Sequence, residues 1–134
     1  MNKRRVDEWI APAMLALEKA GIAENGKVDS KFRGQISTFG AAAVMGSLKA
    51  AAAFFAKQGG AAVPRERLLS AMYYVITGEE NARPQEVFSY ICAHDTVETR
   101  EKFMDAAIAL KLAMNLYDMS EEAVKNEKSE PAVQ

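Results

Sequence analysis

Residues 21–27 carry glycine and lysine at a spacing that could hold nucleotide phosphates. Their sequence, GIAENGK, matches the first seven positions of a P-loop, in which backbone amides and the lysine bind the phosphates. However, Val28 stands where the Mg²⁺-binding Ser or Thr must be, and Glu24 places a negative charge where the phosphates would lie. The preceding apolar pattern is also helical, whereas the motif needs a strand. We therefore predict that this segment binds no nucleotide.

Cys92, His94 and Asp95 form the second group with chemical potential, because all three residue types can ligate zinc or act in catalysis. A structural zinc site needs about four protein ligands, whereas the chain has one Cys and one His. We predict that Cys92 is a small core residue at the end of a helix and that His94 lies in a loop or at a helix cap. We expect no metal, no cofactor and no enzymatic activity. A small hydrolase built on these three residues is the alternative.

The charged residues are balanced overall but unevenly distributed. The 134 residues include 17 Lys/Arg and 18 Asp/Glu, and this net charge of −1 is unlike that of a dedicated nucleic-acid binder. Residues 1–60 contain nine basic and five acidic side chains, while residues 61–134 contain eight and thirteen. A surface that faces a polyanion should therefore lie in the first half of the chain.

The lysines of this first half allow two arrangements. Lys31 and Lys49 are 18 positions apart, about five helical turns, so they would share a face on one straight helix. If Gly40 breaks the helix, which we favour, only Lys49 and Lys57 are near neighbours. A few solvated lysines without a ligand are the simpler alternative.

The elements that must position these side chains are helices. Apolar residues recur at helical spacing and no run alternates with a period of two, so the sequence predicts an all-α, single-domain compact bundle of about six helices without a sheet of any size. Pro12 either kinks the first helix or lies in its first turn. Turn and cap signals separate the helices. Gly21 ends the first helix, Asp29 or Ser30 caps the second, and Gly40 interrupts the second before a third helix over 41–57. Pro64 lies in the first turn of the fourth helix, which ends at Gly78, while Pro84 opens the fifth and Asp95 or Thr96 caps the sixth.

The sequence also predicts the extent and the location of this domain. Large apolar residues stop after Met119, so we expect a helical domain over 1–119 and a disordered polar tail over 120–134. No run of about 18 uncharged apolar residues is present, and charged residues follow the basic start where a signal peptide would be apolar. We expect a cytoplasmic protein with no membrane partner and no small-molecule substrate.

Three consecutive segments resemble the signature of a known family. KFRGQISTF at 31–39, VMGSL at 44–48 and AAFFAK at 52–57 are similar, in order and spacing, to the small helical subunit of the type III-B CRISPR effector, the Cmr complex. The closing helix adds further matches at Asp95, Arg100, Asp105 and Leu110-Lys111. The resemblance covers roughly residues 5–113.

Four positions depart from the family pattern. Ser47 separates the glycine from the leucine, and Gly40 stands near a position where the family often has proline. Ala109 takes the place of a tryptophan, and Thr99 that of a tyrosine. The resemblance therefore rests on the order and spacing of elements more than on single residues.

The resemblance implies a non-catalytic structural subunit whose copies stack into the minor filament of a crRNA-guided complex. This filament lies beside the backbone subunit and lines the channel where target RNA pairs. Since guide pairing supplies the sequence specificity, the subunit needs only sequence-neutral contacts to phosphates. We expect these contacts from Arg33, Lys49 and Lys57, and we expect other Cmr subunits, further copies of the chain and the crRNA and target RNA backbone as partners. The alternative is a helical homo-oligomeric adaptor with no nucleic-acid role.

Overall fold

The computed structural model describes residues 1–120 as six helices and three short strands, which confirms the predicted all-α, single-domain bundle. None of the described helices is long and apolar enough to cross a membrane. The predicted tail at 120–134 lies, apart from its first residue, outside the described residues. The elements are α1 (Lys3–Lys19), β1 (Ala23–Glu24), β2 (Lys27–Asp29), α2 (Ser30–Met45), α3 (Leu48–Ala56), α4 (Glu66–Thr77), α5 (Pro84–Ala93), α6 (Val97–Met114) and β3 (Asp118–Ser120).

Most helix ends follow the local signals in the sequence. Gly21 and Gly78 follow α1 and α4 with φ of 73° and 79°, a left-handed conformation that glycine adopts without strain. The side chains of Asp29 and Thr96 cap α2 and α6 by accepting hydrogen bonds from backbone N–H groups of the first turn. Pro84 is the first residue of α5. These five predictions are confirmed.

The structure decides between the two alternatives for Pro12 and corrects the prediction for Pro64. Pro12 lies inside α1, because the Asn2 side chain caps the helix and the helix begins at Lys3. The alternative that put Pro12 in the first turn is therefore wrong. Pro64 precedes α4, which begins at Glu66 after Arg65 as its N-cap, so Pro64 is not in the first turn.

The break between the second and third helices is at Gly46 and Ser47, and the predicted interruption at Gly40 is wrong. Helix α2 continues through Gly40, since one glycine inside a helix costs only about 1 kcal/mol relative to alanine. The Ser47 side chain accepts a hydrogen bond from the backbone N–H of Ala50 and starts α3. A Cβ at Gly46 would lie 3.1 Å from the Ala42 carbonyl oxygen, so the break also favours glycine there.

A small sheet was not predicted by the sequence. Strands β1 and β2 form an antiparallel hairpin around Asn25 and Gly26, whose φ values of 53° and 75° suit a tight hairpin turn. Strand β3 then pairs in parallel with β2 and brings Ser120 beside Asp29. The P-loop-like segment is therefore a hairpin that follows a helix, a geometry different from the strand, loop and helix of a P-loop.

Helix α6 is the centre of the core and packs against α1, α2 and α4. Its alanines let neighbouring helices approach closely, and Phe103 fills the space among them. Phe55 is fully buried on α3, while its neighbour Phe54 is 54% exposed. Cys92 is exposed on α5, so the prediction of a core cysteine is wrong. The reason is that α5 buries its Pro84, Val87 and Ile91 side, and Cys92 falls outside that stripe.

A buried ion pair joins the start of α1 to the middle of α6. Asp105 is 1% exposed, and its Oδ2 accepts hydrogen bonds from Arg5 Nε at 3.0 Å and Arg5 Nη2 at 2.7 Å. The backbone N–H of Asn2 donates to the same oxygen at 3.2 Å. Since a buried carboxylate is tolerated only with such partners, this contact fixes the first turn of α1 on the core.

Tyr117 makes a second connection between α1 and the region after α6. Its hydroxyl donates to Glu18 Oε2 at 2.8 Å and lies 3.2 Å from the carbonyl oxygen of Met14. Burial, the hydrogen bond to Glu18 and the negative charge of Glu18 together raise the pKa of Tyr117 to about 12. The neutral hydroxyl is therefore the form that the folded protein favours.

This shift predicts how stability depends on pH in the alkaline range. The pKa of Tyr117 is higher in the folded chain than its ordinary value of 10.0, so its contribution is complete below pH 10 and is lost as pH rises towards 12. In an ultraviolet titration of tyrosinate we expect Tyr117→Phe to remove the last ionisation step. An unchanged titration curve in that variant would contradict the assignment.

Candidate nucleic-acid interface

Arg33, the first of the predicted RNA contacts, lies near the start of α2 and faces the end of α6. Its Nη1 donates to the Lys111 carbonyl oxygen at 3.3 Å and to the Asn115 side-chain oxygen. Carbonyl groups at the end of a helix lack partners within the helix and carry partial negative charge. Arg33 therefore stabilises the end of α6, and it is half-buried rather than free in solvent.

Lys111 is a second positively charged residue near Arg33, and it was not among the predicted RNA contacts. Its Nζ donates to Ser37 Oγ at 2.7 Å, and Ser37 lies one turn after Arg33 on α2. The two helices thus bring Arg33 and Lys111 to one place. The residues are 78 positions apart, and nothing local in the sequence indicates that they meet.

Lys49, the second predicted contact, is the second residue of α3 and forms an ion pair. Its Nζ lies 2.9 Å from Asp95 Oδ2 in the turn before α6. The hydrogen bond to Asp95, together with the charge of that carboxylate, raises the pKa of Lys49. Both side chains are largely exposed, and such pairs are weak and screened by salt. A phosphate can therefore compete with Asp95 for the ammonium group.

Lys57, the third predicted contact, caps the end of α3 and is exposed. Within residues 1–120, no carboxylate lies within ion-pair distance of its ammonium group. Lys49 and Lys57 stand at opposite ends of α3, about 12 Å apart along the helix axis. Arg33 lies on another helix, so the three side chains do not form one cluster and would contact separate phosphates.

An open apolar groove between α2 and α6, here called the α2–α6 groove, is a feature that the sequence did not indicate. It has a volume of about 440 Å³, and Val44 and Met45 at one end are 59% and 88% exposed. Gly40 and Ala41 leave its floor free of large side chains, and Lys111 lies at the other end. The lining residues are Ile36, Ser37, Gly40, Ala41, Val44, Met45, Met104, Ala107, Ile108 and Lys111.

Cys92, His94 and Asp95 do not form a joint site. His94 caps the end of α5, as predicted; its Nδ1 lies 2.8 Å from the Tyr90 carbonyl oxygen, and its ring stacks on that of Tyr90. Asp95 is paired with Lys49, and Cys92 is exposed. The described part of the chain contains no group of three or more side chains placed to hold a metal ion.

The arrangement therefore offers two kinds of surface. The α2–α6 groove is apolar and open, whereas Lys49 and Lys57 offer isolated positive charges along α3. A search with models of known protein families found no match to this chain, and neither did comparisons with curated proteins and with solved structures.

Proposed function

We propose that this protein is a non-catalytic structural subunit of a crRNA-guided type III-B CRISPR effector complex in the cytoplasm. The resemblance of residues 31–39, 44–48 and 52–57 to the small subunit of that complex motivates the proposal. The observation that carries it is the α2–α6 groove, because an open apolar surface of this kind on a small protein favours assembly with another protein.

A second copy of the same chain is the occupant that we assign to the groove. Copies would attract each other where a cationic surface of one meets an acidic surface of the next. The cations Arg33 and Lys111 lie at one end of the groove. At the start of α6, Val97 is 64% exposed, and Glu101 one turn later is an exposed carboxylate without an ion-pair partner among residues 1–120. Contact between these two unlike surfaces is head-to-tail, and such contacts produce an open filament when the rotation from copy to copy does not close a ring.

RNA contact is the second part of the proposed function. Guide pairing would supply the sequence specificity, so the subunit needs only charge at the positions where phosphates pass. Lys57 is free to make such a contact among the described residues, and Lys49 can exchange its exposed carboxylate partner for a phosphate. Each copy would neutralise few phosphates, and the contacts would gain strength from repetition along one strand.

The groove predicts the outcome of a charge substitution. Val44→Glu combined with Met45→Glu should abolish self-association and incorporation into the complex, because carboxylates would be desolvated in an apolar contact. The melting temperature should hardly change, since both side chains are exposed in the monomer. Light scattering over a range of protein concentrations, followed by reconstitution of the complex, measures the effect.

Leu15→Glu is the matched control for this experiment. Leu15 lies on α1 outside the groove and is 50% exposed, so it tests the addition of charge at an exposed apolar position. Normal assembly of the double variant, or equal loss in the control, would refute the role of the α2–α6 groove.

A homo-oligomeric adaptor without RNA is the second candidate, because the same groove would support self-association alone. The two functions differ in whether RNA is a component of the native assembly. An adaptor would keep its oligomeric state after nuclease treatment and would contain no RNA at any stage.

A further inference from the structure

Phe54 is a large exposed aromatic side chain that is supported from one side by a cation. The guanidinium carbon of Arg65 lies 4.2 Å from the centre of the Phe54 ring, close enough for a cation–π contact. Phe54 is 54% exposed, whereas Arg65 is only 8% exposed. The arginine therefore covers one face of the ring from within the protein, and the Phe55 ring lies 6.1 Å away at a tilt of 58°. About half of the Phe54 side chain remains open to solvent.

Among residues 1–120, Arg65 has no anion beside it that accounts for its buried position. Its Nε is buried without a hydrogen-bond partner in residues 1–120, and no carboxylate of this region lies within ion-pair distance of its guanidinium group. The next residue, Glu66, also has a buried oxygen without a partner and does not pair with Arg65. The positive charge thus acts on the Phe54 ring without internal neutralisation.

The segment that contains Phe54 carries only positive charges and many small side chains. Residues 50–65 contain two charged side chains, Lys57 and Arg65, and both are basic. Lys57 lies three positions after Phe54, which places it beside the ring on the helix surface. Residues 58–62, between the two cations, have the sequence QGGAA and contain no charged side chain.

We propose that the exposed part of the Phe54 ring is a stacking platform for one base of single-stranded RNA, with Lys57 binding the adjacent phosphate. Proteins that bind single strands combine exposed aromatic rings with a cationic path for the backbone, because every base offers a π face. Arg65 positions the ring and adds positive potential behind it. The inference deepens the proposed function, since it assigns a place on α3 where the RNA would be held.

Binding of RNA oligomers to the isolated full-length chain tests this platform independently of complex assembly. Labelled oligoadenylate and an abasic oligomer of equal length are titrated with protein at low salt, and fluorescence anisotropy reports binding. We expect Phe54→Ala and Phe54→Leu to weaken oligoadenylate binding about tenfold, and Phe54→Trp to preserve it. Lys57→Gln should lower the slope of affinity against salt by about one unit. Leu15→Ala, another exposed apolar position, should have no effect.

Three results would overturn the platform. These are no binding of oligoadenylate by the wild-type chain, equal affinity for the abasic oligomer, and unchanged affinity in both Phe54→Ala and Phe54→Leu. If these variants bind RNA normally but enter the complex poorly, the ring belongs to a protein interface and the inference is wrong. Failure of the chain to enter any guide-RNA complex would instead contradict the proposed function, because the oligomer assay contains no other subunit.

Discussion

Asp105→Ala should lower the free energy of unfolding by about 3–5 kcal/mol, because it removes the carboxylate of the Arg5–Asp105 ion pair. Among the ion pairs of the described residues, this is the largest loss that we expect. The substitution leaves Arg5, whose side chain is 20% exposed, without its only carboxylate partner among the described residues, and it removes the acceptor of the Asn2 N–H. It also opens a cavity next to α1. Since small domains have a total stability of about 5–15 kcal/mol, this loss should be visible as a large shift in the denaturation midpoint.

Arg4→Ala provides the matched control for this loss. Arg4 also pairs with a carboxylate, Glu8, but both side chains are highly exposed, and exposed pairs contribute little. Combining Arg5→Ala with Asp105→Ala should cost less than the sum of the single substitutions, because the two groups share one interaction. A loss below about 1 kcal/mol for Asp105→Ala would contradict the structural role of this pair.

If the proposed function is correct, Lys49→Glu combined with Lys57→Glu should have the largest functional effect, a reduced capture of target RNA by the assembled complex. Each lysine that contacts a phosphate contributes about one unit to the slope of log affinity against log salt, and each stacked copy would lose both contacts. Arg33 is kept in this experiment because it also holds the end of α6. The melting temperature of the isolated variant should be nearly unchanged.

A second pair of charge reversals controls for net charge. Lys3→Glu combined with Lys27→Glu makes the same change in charge at two exposed lysines away from α3. Salt titrations of target RNA binding should show normal capture by the control complex and weakened capture by the Lys49 and Lys57 variant. Equal affinities of the two complexes, with normal incorporation of both subunits, would rule out the assigned contacts.

The helices could be predicted because their ends are set by neighbouring residues. Asp29 and Thr96 are cap residues in any context, and Gly78 supplies the left-handed conformation that ends α4. The break after α2 was misplaced because glycine alone at position 40 is a weaker signal than glycine followed by a capping serine at positions 46 and 47. Both signals are local, so the sequence alone could have placed the break at Gly46 and Ser47.

The sheet and the contacts between helices could not be found in the same way. The strands contain two or three residues each, too few to show alternation, and β3 pairs with β2 across about 90 positions of chain. The partners of Asp105 and Arg33 are similarly remote in sequence. Such contacts depend on how the helices pack, which periodicity does not specify.

The candidate site could also be predicted only in part from the sequence. The charge asymmetry indicated that cations of the first half could face RNA, and Lys57 is exposed in the structure. The sequence did not indicate that Lys49 has an ion-pair partner or that Arg33 is used by α6. The stack of Phe54 on Arg65 depends on the course of the loop between them, so neither residue could be assigned to it from spacing alone.

The RNA that accompanies the native protein shows whether the chain belongs to a crRNA-guided complex. The full-length chain is tagged in its own cells and purified at moderate salt, and the bound RNA is extracted and sequenced. We expect short RNAs that carry spacer sequences of a CRISPR array, together with the backbone subunit of the complex. Recovery of the chain without such RNAs, alone or as an oligomer of itself, would show that it is not a subunit of such a complex.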